Sequence, residues 1–193
     1  MGTVGTQVRR ADALKNIAAI LDAATAALAR DPDASINDIA QAAGVGRVTL
    51  YGHFGSRAAL LSAVVARAMA ATESDLAAVD VAGDPVEAMR RVLGVTWDLT
   101  YRYGALIVAA QRTLPAADLH DAHEKPIRRM QTLLRRGRRA GVFRTDMPLD
   151  WQITLIQSLL HGASDATYRG ELAADKAGRL VSETVLAALR PGR

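Results

Sequence analysis

Between Ser35 and Arg57 the chain reads SINDIAQAAGVGRVTLYGHFGSR, and no other stretch constrains the fold as tightly. Ser35 is placed to accept a hydrogen bond from the free amides of a helix it opens, with Asp38 three residues on where a capping box puts its partner. Ile39, Ala40 and Ala43 give that helix an apolar face, and Gly44 supplies a position that tolerates positive φ, so the helix ends in a tight turn with Val45 at the elbow. In the next helix Leu50 and Phe54, four residues apart, face inward. At about 100° per residue, Val48, Thr49 and Gly52 then face outward, flanked by Arg47, Tyr51 and His53. Two short helices joined by a glycine turn, the second showing donors and small side chains to its surroundings, have the layout of a helix-turn-helix that enters a major groove.

Asp38-Ile39-Ala40, Gly44-Val45 and Thr49-Leu50-Tyr51 leading to His53-Phe54 resemble the tetracycline-repressor (TetR) family. The resemblance extends to an amphipathic helix before the motif and to Arg57 ahead of Ala58-Ala59-Leu60-Leu61, and so covers about the first sixty residues. Two positions depart from it: Gly46 stands where a capping serine is common, and Gly52 where a larger residue usually faces DNA. Within a helix, glycine costs roughly 0.5–1 kcal/mol relative to alanine, so the second helix is expected to firm up on DNA. The resemblance implies DNA contacts at Arg47, Val48, Thr49, Tyr51 and His53, with Arg57 on phosphate; Ser35 and Gly52 are counted with them. In chemical terms, Arg47 suits a guanine edge, Val48 a thymine methyl, and Tyr51 or His53 a phosphate.

A chain of 193 residues, half of them hydrophobic, has room for one small reader and one larger domain with a real core. No apolar run approaches the roughly 18 residues of a membrane span, and the N-terminus lacks a secretory pattern, so a cytoplasmic protein without a membrane partner is expected. With no cysteine, disulfides, thiolate nucleophiles and thiol redox sensing are excluded.

The formal charge of +4 is not concentrated in the reader. In residues 1–60, Arg9, Arg10, Lys15, Arg30, Arg47 and Arg57 face five aspartates, so attraction to DNA must come from placement. Arg9 and Arg10 are expected to precede the first helix, as a phosphate-seeking arm or a solvated tail. The densest basic run is Lys125, Arg128, Arg129, Arg135, Arg136, Arg138, Arg139 and Arg144, with no acid between its ends. Ile127, Met130, Leu133 and Leu134 recur at helical spacing there, which puts most of these arginines on a solvent-facing side.

No alternating strand pattern occurs, and the expected fold is all-α: an N-terminal three-helix DNA-binding domain (1–56) and a larger helical ligand-binding and dimerisation domain (57–193). The first helix is expected from about Ala11 to Arg30, with Leu14, Ile17, Leu21 and Leu28 supporting the motif. A linking helix follows from Ser56 to about Ala78. Asp84-Pro85 with Glu87 starts another, carrying Met89, Leu93, Trp97 and Tyr101, and a separate short helix is expected from Tyr103 to Thr113. The arginine-rich helix, opened or kinked by Pro126, ends at Gly141. Two last helices, about Pro148 to Arg169 and Glu171 to Leu189, are separated by Gly170. The first of these carries two apolar stripes, Leu149, Ile153, Ile156, Leu160 and Ala163 on one side and Trp151, Leu155 and Leu159 on another. A helix apolar nearly all round is buried on two sides. One side would face the core and the other a second copy, joined by Leu180, Val181, Val185 and Ala188. The resemblance implies the same four-helix homodimer, matched to two half-sites on DNA.

Polar groups on otherwise apolar helices mark a candidate effector pocket: Trp97, Tyr101, Gln111, Arg112, Trp151, Gln157 and His161. Asp118, His120, Asp121, His123 and Glu124 have metal-type spacing, but they fall between Pro115 and Pro126, where acids favour a first helical turn and solvent, so no metal is assigned. No glycine-rich phosphate loop, nucleophile-elbow serine or acid pair on a shared face is present, and neither a cofactor nor an enzyme is expected. The expected function is a dimeric regulator, a repressor that releases a double-stranded DNA operator when a small-molecule effector binds. Two alternatives stand beside it: a sequence-tolerant DNA-packaging protein, and a small helical enzyme with a vestigial reader.

Overall fold

The computed structural model describes the backbone of residues 3–192 and the side chains of 12–115 and 125–192. Eight helices occur in the order α1 (Thr3–Arg30), α2 (Ile36–Ala42), α3 (Arg47–Phe54), α4 (Arg57–Ala77), α5 (Pro85–Thr113), α6 (Ala116–Arg139), α7 (Leu149–Tyr168) and α8 (Ala174–Leu189), with no strand among the described residues. The fold is all-α. The helices form two compact units, Met1–Ala68 with Ala105–Leu119, and Met69–Gly104 with His120–Arg193, so the chain of α4 and that of α5 each run through both.

In the first unit α1 buries Ile20, Ala24 and Leu28, spaced i, i+4 and i+8, against its neighbours. Leu14, expected in that stripe, is 63% exposed, because the buried face passes through Ile20 and Ala24 instead. The helix also begins eight residues earlier than expected. No proline and only one glycine, Gly5, interrupts Thr3–Arg30, so Arg9 and Arg10 lie within α1 and not on an arm before it; their side chains are outside the described residues.

Ser35 caps α2 as the sequence indicates. Its hydroxyl accepts from the Asp38 N–H at 3.2 Å, and the Asp38 carboxylate accepts from the Ser35 N–H at 3.1 Å. At the other end Gly44 adopts φ +68°, the Gly44 N–H donates to the Gln41 carbonyl and the Val45 N–H to the Ala40 carbonyl, closing the helix in a Schellman turn. Ile36, Ile39, Ala40 and Leu50 are buried, which fixes α3 to α2.

The second unit packs Met89, Val92, Leu93 and Trp97 of α5, Leu133 and Leu134 of α6, Ile153, Ile156 and Leu160 of α7, and Val181, Val185 and Leu189 of α8 into one core. Asp84 caps α5 through its own carboxylate, which accepts from Val86 and Glu87 N–H at 2.9 and 3.0 Å. The separate helix expected at Tyr103–Thr113 does not exist: α5 continues through Gly104. A Cβ there would stand 2.7 Å from Ser164 Oγ, so the glycine serves a close approach to α7 and does not end the helix. Likewise α6 passes through Pro126 without ending.

The basic run is not mainly a solvated face. Arg129 donates to the Leu76 carbonyl, Arg136 to Val81, and Arg138 to Met147 and to the buried Gln152, whose amide in turn donates to the Arg144 carbonyl. Only Lys125, Arg128, Arg135 and Arg139 are exposed. Guanidiniums on long stems reach carbonyls of other segments, at the end of α4 and in two loops, that the helix's own periodicity does not reveal.

Candidate nucleic-acid interface

The inward side of α3 is set by Leu50, fully buried, with Phe54 half-buried one turn on. What remains outward is a continuous face of Arg47, Val48, Thr49 and Gly52, all exposed, with Tyr51 and His53 half-buried at its margins. Val48 is 87% exposed, an unusual position for a β-branched apolar side chain on a packed helix. The Arg47 guanidinium lies over the Tyr51 ring, 5.5 Å from its centroid, which holds a flexible side chain in one orientation. Gly46 precedes α3 without a side-chain cap, as its identity requires.

Ser35 and Arg57 are both engaged within the protein. The Ser35 hydroxyl donates to Asp38 Oδ2 at 2.6 Å, and with the backbone N–H it holds the Asp38 carboxyl below the ordinary aspartate range, the hydroxyl bond being the larger cause. Arg57 Nη1 donates to the Ala34 carbonyl at 2.6 Å, tying the start of α4 to the turn before α2. Sequence reasoning did not single out three further supports. Ser56 caps α4 by accepting from the Ala59 N–H at 3.0 Å; Arg67 pairs with Asp22 at 2.5 Å; and Arg112 pairs with Asp33 at 3.0 Å. Ser56 was legible as a serine three residues before a helix interior. The two ion pairs join residues 45 and 79 apart, and no local pattern signals them.

Arg112, read as a pocket residue, therefore braces the α1–α2 turn, and with exposed Gln111 it belongs to the first unit. Trp97, Tyr101, Trp151, Gln157 and His161 belong to the second. Trp97 is buried, stacked on Tyr101 with ring centroids 5.8 Å apart, and its indole lies over Gly178 of α8. Tyr101 and Trp151 are half-exposed, His161 is exposed and Gln157 half-buried. An open groove of about 490 Å³ on the same unit is lined by Asp75, Val79, Arg91, Gly94, Val95 and Asp98 among others, and by none of the expected pocket residues. Trp151 of α7 and Leu180 of α8 are 55% and 41% exposed, whereas Val181 and Val185, expected with Leu180 at a dimer surface, are core residues. Their i, i+4 spacing with Leu189 turns them inward against α7.

Asp118, His120, Asp121, His123 and Glu124 lie outside the described side chains. Among the described residues no group of three His, Asp or Glu is arranged to hold a metal ion. No single described helix is long and apolar enough to cross a membrane; α3 and α4 meet that composition only as a pair bent by 70°.

Helices α2 and α3, joined by the Gly44 turn and packed through Ile39, Ala40 and Leu50 with one face of α3 exposed, have the arrangement of a helix-turn-helix. Residues 20–64 match the family model described as bacterial regulatory proteins, tetR family. The HTH-type transcriptional repressor LfrR of Mycolicibacterium smegmatis is 40% identical over 82 residues, 42% of this chain and 43% of that protein, so the aligned stretch spans less than half of LfrR. The HTH-type transcriptional regulator NfxB of Pseudomonas aeruginosa is 25% identical over 171 residues, 86% of this chain and 90% of that protein. Among solved structures, the TetR family transcriptional regulator PfmR from Thermus thermophilus superposes with a TM-score of 0.71 at 22% identity, covering 89% of this chain and 98% of that one. LfrR from Mycobacterium smegmatis in complex with proflavine superposes at 0.69 and 24%, covering 91% and 96%. Residues 20–64 thus carry the sequence signature of the tetR-type DNA-binding segment, and the chain shares its fold with these solved regulators.

Proposed function

We propose that this chain is a ligand-responsive, dimeric transcriptional regulator, a repressor that binds a palindromic operator in double-stranded DNA and releases it when a small molecule binds the larger helical domain. The observation that carries the reading is the outward face of α3: Arg47, Val48, Thr49 and Gly52 exposed on one side, Leu50 fully buried on the other. Arg47, propped on Tyr51, reads a guanine edge; Val48 meets a thymine methyl; and Thr49, Tyr51 and His53 reach flanking bases and phosphates. The guanidinium N–H groups of Arg57 other than the one held by Ala34 are directed to phosphate, and the Ser35 cap orients the helix beside it.

Residues 1–56 act as the reader and 57–193 as the ligand and dimer domain. The bare apolar residues Trp151 and Leu180, with half-buried Leu155 and Leu159, support a two-fold contact through α7 and α8. For the effector, the stacked Trp97–Tyr101 pair of α5, with Gln157 and His161 on α7 of the same unit, supports an aromatic-lined site, and the relative LfrR has been solved with proflavine. An effector that favours the form with misplaced readers by about 1–3 kcal/mol lowers operator affinity roughly 5- to 150-fold. We infer a cytoplasmic setting from this role.

Sheared bacterial DNA incubated with the purified protein at near-physiological salt, recovered and sequenced, tests the proposal. It should enrich an imperfect palindrome with half-sites one or two helical turns apart. Uniform recovery of all sequences would instead favour the sequence-tolerant packaging alternative.

A further inference from the structure

The glycine at position 52 has no explanation inside the protein. Where a Cβ would stand there is nothing within 4 Å, and φ is not in the left-handed region. Glycine is nonetheless the least favourable residue for a helix interior after proline. Other helical glycines differ: Gly104, Gly137 and Gly178 have Ser164, Phe143 and Trp97 packed where a Cβ would go. Gly94 and Gly162 are also open, but Gly94 lines the groove on the second unit and Gly162 is on α7, whereas Gly52 lies on the face that α3 presents outward. Val48, one turn before it, contributes an exposed branched apolar side chain. Together they form a notch on α3 with methyl groups on one side, bare helix backbone on the other, and no side-chain donor or acceptor of their own.

We infer that Gly52 lets the backbone of α3 come into van der Waals contact with a base-pair edge, and that the Val48–Gly52 notch receives the 5-methyl group of a thymine. The chemistry singles out that group: in the major groove, thymine alone among the four bases offers a methyl, and the other base edges offer donors and acceptors that this notch does not answer. Gly52 is thus a specificity-determining residue through the side chain it lacks. The inference rests on the proposed DNA-reading role of α3.

The test uses the full-length protein and the operator fragment it selects, with each thymine of a half-site replaced in turn by deoxyuridine, which removes only the methyl. For the wild type, one replacement per half-site should weaken binding about threefold or more. Gly52→Ala, with room for its methyl in the free protein, should keep or raise the melting temperature. It should bind the parent operator about tenfold more weakly, at the low end of what one lost base contact costs, and should no longer distinguish thymine from uracil at that position. A Gly52→Ala protein that binds as tightly as the wild type overturns the inference alone; a wild type that selects a site but is indifferent to every replacement overturns the inference and the thymine contact proposed for Val48, and leaves DNA reading by α3 standing. A wild type that selects no site overturns the DNA-reading role and the inference with it.

Discussion

The Tyr51 ring stands beneath the Arg47 guanidinium at 5.5 Å, and in the proposed complex that contact sets how Arg47 would be presented to DNA. An arginine free to rotate loses side-chain entropy on docking, whereas one already stacked loses less. Replacing Arg47 by alanine should relax preference at one base position by roughly 1–3 kcal/mol, measured as the affinity ratio between operators differing there; an equal loss on all sequences would make Arg47 a phosphate contact. Asp38 offers a residue-scale prediction of another kind. Its folded-state pKa lies below the unfolded value, so its contribution to stability is present above the unfolded pKa and is lost as pH falls through the folded one. Melting temperature followed from about pH 6 to about pH 3 should decline on the acid side, and Asp38→Asn should flatten part of that decline. The Ser35–Asp38 pair was legible because a serine three positions before an acid at a helix start is a local pattern, whereas the Arg47–Tyr51 contact, four positions apart on α3, was not singled out. Nor was Arg112 legible, because its partner Asp33 lies 79 residues distant and an isolated arginine gives no hint of whether it faces a ligand or a carboxylate.

At the scale of elements, short-range chemistry predicts starts and stops well and continuity poorly. The capping box at Ser35, the glycine stops at Gly44 and Gly141, and the start at Asp84-Pro85 are all realised, since each depends on groups within one helical turn. The continuation of α5 through Gly104 was hidden, because what makes glycine necessary there is Ser164 on another helix. The arginine clips of α6 were hidden for the same reason, and they matter to stability. Gln152 is fully buried, accepting from Arg138 at 3.2 Å and donating to the Arg144 carbonyl at 3.1 Å. Gln152→Ala should cost about 1–3 kcal/mol in denaturant unfolding, because two partners lose their bonds inside the protein. A change under about 0.5 kcal/mol would mean that the α6–α7 connection is held by other contacts.

For the whole molecule, affinity for a palindrome requires two readers held at a fixed separation. The sequence announced an α7 helix apolar on two sides, and the structure leaves Trp151 and Leu180 bare while folding Val181 and Val185 into the core. The effector site was the least legible part, because the same tryptophan or glutamine suits a core, a surface or a pocket, and only the assembled fold separates Trp97, buried, from Trp151, half-exposed. Changing Trp151 and Leu180 together to glutamate should leave the helical fold intact, convert a dimer to a monomer in sedimentation, and weaken operator binding more than tenfold, because two half-sites no longer share one binding event. Sequence-specific reading of DNA by α3 is measured most directly by comparing Kd for the selected operator with Kd for a scrambled fragment of equal length at physiological salt. A Kd for the scrambled fragment about 10³-fold or more above that for the operator is predicted; equal affinities that fall together as salt rises would contradict it.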